Sequence, residues 1–153
     1  MTNVDESTNS VYGTTDRNVG GVALGRRCLE APQSVIKRNP PIKGKINFAT
    51  WNVRTMNPHG SLEQIVKEAD RLRIDILGIA ETRWMNNGRV KTTEGWEMYY
   101  SGGAERYAGV GFLIRPEVKE SVTEVRPVSE RIMYMRVNAK PRPFNIIQVR
   151  KRR

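Results

Sequence analysis

The chain has one cysteine and one histidine among its 153 residues. A single thiol, Cys28, cannot close an intrachain disulfide, so no disulfide framework holds the fold; the expectation is also of no disulfide-linked partner. That points to a reducing compartment, nucleus or cytoplasm. The lone imidazole, His59, lies in Asn57-Pro58-His59-Gly60, a turn pattern in which a histidine reads as an ordinary surface residue. Long apolar runs are also missing. The stretch Gly20-Gly21-Val22-Ala23-Leu24-Gly25 is too short and too glycine-rich for a signal-peptide core or a membrane span, so no membrane is expected among the partners.

Acidic groups are scarce, with 16 against 26 Lys and Arg, giving a formal net charge of +10. A basic balance favours polyanions through counterion release, which makes nucleic acid a partner to consider. Part of the excess is concentrated at Arg150-Lys151-Arg152-Arg153. The readings for this run are a phosphate-contacting or nuclear-localisation patch, and a solvated tail.

Large apolar groups are sparse before residue 45, where Asn, Ser, Thr, Gly and Pro predominate. Residues 1–44 therefore read as a disordered arm that cannot bury enough surface to offset its ordering entropy. Residues 45–149 read as the folded domain and 150–153 as a basic tail. Within the domain, residues 45–53 alternate with Ile46 and Phe48 on one side, which predicts a strand. Ser61 with Gln64 three residues on reads as a capping box. Leu62, Ile65, Val66, Ala69 and Leu72 then form one apolar stripe of a helix. Residues 74–80 are almost wholly apolar, as in a strand buried on both faces. Strand, helix and strand make a βαβ unit, so the two strands should run parallel and their C-terminal ends should share one edge.

Beyond Glu81 the pattern shifts to short strands near residues 97–101, 109–114, 121–128, 131–137 and 144–149, separated by turn signals that include Arg115-Pro116-Glu117. The expected fold class is α/β with a mixed sheet. No second helix is legible after residue 73, so one sheet face has no evident cover, and this suggests that a piece of chain is missing.

The shared edge of the first two strands carries Asn52 and Glu81. An amide oxygen and a carboxylate there are the beginning of a site for a hard cation such as magnesium, which prefers oxygen ligands. Asn52 can ligate directly, or orient a phosphate or the water shell of the metal. The residues alone leave a second role for Glu81, capping the following loop or pairing with Arg83 or Arg54. Trp51, Trp84 and Trp96 are candidates for stacking on bases, although tryptophans in strands more often belong to the core.

Five blocks in order carry a resemblance: residues 49–56, 74–84, Gly109-Val110-Gly111-Phe112-Leu113, Ser129-Glu130-Arg131-Ile132 and Asn145-Ile146-Ile147-Gln148-Val149. Together they resemble the endonuclease/exonuclease/phosphatase superfamily. Within it they resemble the craniofacial development protein-like branch, related to the apurinic-type endonuclease domains of non-LTR retrotransposons. The resemblance implies a four-layer α/β sandwich and phosphodiester hydrolysis with Mg2+ or Mn2+. It implies that Asn52 is the strand-end asparagine and Glu81 the metal-binding glutamate. Some relatives carry an acidic residue two positions after that asparagine, where this chain has Arg54. The pattern would continue after Val149 with a Tyr-Ala-Pro-Thr-like segment, an Asp-x-Asn pair, a further acidic residue and an Asp-His pair. Here Val149 is followed by the four basic residues, and His59 does not match the catalytic histidine. The expectation is a truncated, catalytically inactive portion of the sandwich with no general base; the alternatives are a non-enzymatic basic module that binds nucleic acid, and a nuclease active only when complemented by the missing half.

Overall fold

The computed structural model describes residues 39–151. Cys28, Arg152 and Arg153 lie outside the described residues. The described chain forms β1 (Phe48–Asn52), α1 (Ser61–Arg71), β2 (Ile76–Ala80), β3 (Asn87–Lys91), β4 (Glu97–Ser101) and β5 (Val110–Ile114). It continues with α2 (Pro116–Lys119), β6 (Val122–Ser129), β7 (Ile132–Val137) and β8 (Phe144–Val149).

The first five strands make a mixed sheet in the order β1-β2-β5-β4-β3. β1 and β2 run parallel with Asn52 opposite Ala80, as the βαβ pattern predicts, and the other neighbours are antiparallel. Apolar side chains project from both faces of the central strands. On one side Leu77, Ile79, Met98 and Leu113 pack with Leu62, Ile65, Val66 and Ala69 of α1. On the other, Ile76, Val110, Phe112 and Ile114 pack with Met133, Met135 and Val137 of β7. Every residue of β2 and β5 is buried in consequence.

That second packing corrects the expectation of an uncovered sheet face. β6, β7 and β8 do not extend the first sheet; they form a separate antiparallel sheet in the order β6-β7-β8 that covers it. The change of layer falls at α2, a single helical turn where a simple turn was expected. Pro116 opens it at a position where a missing N–H costs nothing. Pro127 lies in β6, an edge strand with irregular register, where proline is tolerated.

Local details also differ from the sequence pattern. Ser61 is the first residue inside α1, so its hydroxyl turns back to the Pro58 carbonyl at 2.7 Å and no capping box forms. Gly60 supplies the cap instead, with φ of 80°. Leu72 falls at the C-cap of α1, off the buried stripe, and is 53% exposed. Phe48 belongs to an edge strand and is 49% exposed, meeting Phe144 of β8 edge-on at 5.3 Å. β3 has no strand signal of its own, since Asn86-Asn87-Gly88 has turn composition, yet residues 87–91 pair with β4.

Ordered chain begins before the residue-45 boundary. Ile42 bridges Ala139, the Asn39 amide donates to the Val122 carbonyl at 2.9 Å, and the Ser121 hydroxyl donates to the Pro40 carbonyl.

Candidate functional site at the parallel strand ends

The parallel pairing of β1 and β2 puts Asn52 and Glu81 at one sheet edge, because Asn52 registers with Ala80 and Glu81 follows directly. The backbone there turns sharply. Glu81 has φ of 63° and Arg83 of 56°, in the left-handed region that costs a residue with a Cβ about 1–2 kcal/mol. Hydrogen bonds hold the turn: the Glu81 and Thr82 amides both donate to the Gly109 carbonyl, at 2.8 and 3.2 Å. Gly109 itself has φ of 121°, and a Cβ there would collide with the Thr82 hydroxyl. The Gly-Val-Gly block therefore has a structural task, cradling the turn that presents Glu81.

Glu81 is buried, and its carboxylate has a cationic neighbour that was not expected. Arg150 Nε stands 3.7 Å from Glu81 Oε1, and the two side chains are 13% and 5% exposed. The backbone of Arg150 continues the β7–β8 ladder, its amide donating to the Arg131 carbonyl at 2.9 Å. Arg150 is thus not a solvated tail residue but a cationic neighbour of Glu81. Lys151 is exposed at the same edge. Arg131, in the Ser129–Ile132 block, anchors Arg150 through its carbonyl while its side chain approaches Glu130.

Asn52 is engaged differently. Its Oδ1 accepts the Arg54 amide at 3.0 Å, an Asx turn that holds Arg54 at φ of 60°. Asn52 and Glu81 share a cavity of about 680 Å³ with Thr50, Gln148, Arg150 and Lys151. Its wall is a close approach of the two sheets. Thr50 donates to Gln148 Oε1 at 3.3 Å, and Gln148 lies so near Gly78 that a Cβ there would overlap its amide. A second cavity of about 520 Å³ also touches Asn52 and is lined by Trp51, Arg54, Gln64 and Lys67.

The three tryptophans separate by environment. Trp96 is 3% exposed in the core, with the Arg115 guanidinium 4.8 Å from its ring centroid. Trp84 donates from Nε1 to the Met56 carbonyl at 3.1 Å and packs edge-on against Tyr100. Trp51 is 42% exposed. His59 is exposed in the turn before α1, as its sequence context suggests.

These donors do not fit a divalent cation as placed. Magnesium commonly takes one or two carboxylates with further oxygen ligands in an octahedron. Among the described residues no group of three or more His, Cys, Asp or Glu is gathered to hold a metal. The carboxylate at the edge already faces a guanidinium.

A mixed sheet with an amide and a carboxylate at its parallel strand ends, covered by a helix on one face and a second sheet on the other, is the frame of an α/β sandwich. The sequence pattern of the Endonuclease/Exonuclease/phosphatase family matches residues 49–151, and the chain belongs to that family. It is 34% identical over 102 residues to craniofacial development protein 2 of Tragulus javanicus and 33% identical over 102 residues to that of Bos taurus. Each alignment covers 67% of this chain but only 18% and 17% of the relative, so the chain spans less than a fifth of their length.

Proposed function

We propose that this domain engages nucleic acid without cutting it, as a catalytically inactive relative of metal-dependent endonucleases. The observation that carries the reading is the Arg150–Glu81 pair. The residue that the family resemblance makes a metal ligand is buried against a cation of the same chain. Phosphodiester hydrolysis needs electrostatic stabilisation of the developing charge, and acid–base assistance adds about 10²–10⁴-fold. Asp75 is committed elsewhere, its carboxylate accepting the Asn47 amide at 2.8 Å and facing Arg115. Asp70 is ion-paired to Arg115 at 2.7 Å. Neither supplies a base to the cavity beside Glu81.

Support for binding comes from the basic balance of the chain and from Trp51, whose exposed ring shares a cavity with Arg54 and Lys67. Stacking one base on such a ring is worth about 1–3 kcal/mol. Descent from a retrotransposon endonuclease belongs to the same proposal, supported by the residue pattern at 49–56 and 74–84.

The test pairs two assays on the full chain. In magnesium, supercoiled plasmid is expected to remain uncut by both the natural protein and Glu81→Gln. Single-stranded DNA affinity, read by fluorescence anisotropy, is expected to fall steeply with salt and to drop about tenfold in Trp51→Ala. Magnesium-dependent nicking that Glu81→Gln abolishes would overturn the inactive reading. A salt-insensitive affinity would overturn the binding one.

A further inference from the structure

We infer that Arg150 is a tethered cation that closes Glu81 to divalent metals, so that this one side chain, rather than a lack of ligand oxygens alone, sets the preference of the site. The inference rests on the proposed function in one respect, the assignment of Glu81 to the position of a metal ligand.

Three observations carry it. The first is placement: the guanidinium lies 3.7 Å from Glu81 Oε1, on the carboxylate that a cation would have to approach. The second is anchoring. Arg150 follows β8 directly, and its amide is bonded to the Arg131 carbonyl, so the side chain starts from a fixed point at the rim of the cavity. The third is what holds it there. Arg150 Nε is buried and has no hydrogen-bond partner. An N–H in that state is destabilising unless an opposite charge compensates, and the nearby Glu81 carboxylate supplies that charge. At Nε the guanidinium is therefore held by charge and not by a hydrogen bond, and charge is what a metal would contribute in its place.

A guanidinium remains protonated throughout the ordinary pH range, so it cannot step aside by losing its proton. A divalent ion arriving at Glu81 would meet a fixed positive charge within a few ångströms, inside a partly buried cavity where screening by salt is weak. Neutralising residue 150 removes that repulsion. It leaves Glu81, Asn52, the Thr50 hydroxyl and the Gln148 amide around the same cavity of about 680 Å³. These are hard oxygen donors, of the kind magnesium and manganese accept together with water.

The experiment measures Mn2+ binding directly, with no DNA present, by electron paramagnetic resonance of free Mn2+ and by calorimetry with Mg2+. The natural chain, Arg150→Gln, Arg150→Lys and the double variant Arg150→Gln/Glu81→Gln are compared, each checked for folding by circular dichroism. Arg150→Gln is expected to bind Mn2+ at least tenfold more tightly than the natural chain. Arg150→Lys, which keeps the charge, is expected to behave like the natural chain, and the double variant to lose the gain. A folded Arg150→Gln with unchanged affinity overturns the inference, as does a gain that persists in the double variant. Should Arg150→Gln not fold, the natural chain against Glu81→Gln decides. Equal Mn2+ affinities support a closed carboxylate, and a loss in Glu81→Gln shows that Glu81 takes metal with Arg150 in place and overturns it. Because the readout is metal binding alone, a failure to bind DNA leaves this result intact, and the converse holds too.

Discussion

At the scale of single residues, two positions have conformational or electrostatic demands that their side chains meet imperfectly. Arg73 follows the C-cap of α1 with φ of 54°. The Ile74 amide reaches the Ala69 carbonyl at 2.9 Å and the Arg73 amide reaches Asp70 at 3.0 Å, so this is a Schellman ending with arginine where glycine is favoured. Arg73→Gly is expected to raise stability by about 0.5–1 kcal/mol, the relief of a left-handed Cβ less a small loss of charge at the helix C-terminus. Urea denaturation would read it as a higher midpoint at unchanged slope. Glu81→Ala works in the other direction. It leaves Arg150 buried without its countercharge and is expected to cost about 3 kcal/mol in the same measurement.

At the scale of elements, charged groups fasten neighbouring pieces of chain. Arg115, just after β5, donates from Nε to the Ile74 carbonyl at 3.0 Å while its other nitrogens reach Asp70 and Ala69 at the end of α1. Across the β3–β4 hairpin, Arg89 pairs with Glu97, which is 5% exposed and also accepts the Tyr99 hydroxyl at 3.2 Å. Burial pushes the Glu97 carboxyl up, but the Arg89 hydrogen bond and charge outweigh it and hold the group below the usual carboxylate value. Its folded pKa therefore lies below its unfolded one. The stability it contributes is complete above the ordinary carboxylate range and is lost as pH falls through the depressed folded value. Arg89→Ala is expected to cost about 1 kcal/mol at neutral pH, a modest figure because Arg89 is half-exposed, and to flatten the acid limb of a stability–pH curve. Urea melts between neutral and strongly acidic pH would show it.

At the scale of the whole molecule, two apolar clusters lie on opposite faces of the same five-stranded sheet, linked through β2 and β5. Loosening either one exposes strands shared with the other, so residues 39–151 are expected to unfold in a single transition. Gly78→Ala is expected to lower the midpoint by driving the Gln148 amide off the first sheet, at a cost of about 1–3 kcal/mol, and Phe112→Ala by about 3–5 kcal/mol. Coincident melts by circular dichroism and tryptophan fluorescence would check the single transition.

Much of this organisation was legible in the sequence, and the reasons are local. The apolar stripe from Leu62 to Ala69 has a helical period, and the run from Ile74 to Ala80 can only be covered on both faces. From these follow the parallel pair and the shared edge of Asn52 and Glu81. What stayed illegible depends on contacts distant in sequence. Nothing in the spacing of residues 116–149 says that three strands leave the first sheet and lie over it. Only that docking carries Arg150 to Glu81, because residue 150 extends β8 and β8 faces β2 across Gly78 and Gln148. A run of four basic residues reads as one patch, whereas the fold treats Arg150 and Lys151 differently, largely burying the side chain of one and exposing the other.

The closeness of β1 and β8 has a consequence for how the fold can vary. Each is a lateral boundary of its own sheet, and the contacts of Phe48 with Phe144 and of Thr50 with Gln148 stack the two boundaries one above the other. The packed interior built on β2, β5 and β7 lies inboard of both. Backbone joining at this margin would widen both layers together while leaving the buried side chains in their present rotamers and neighbourhoods. The width of this architecture is thus adjustable from one side, independently of its thickness.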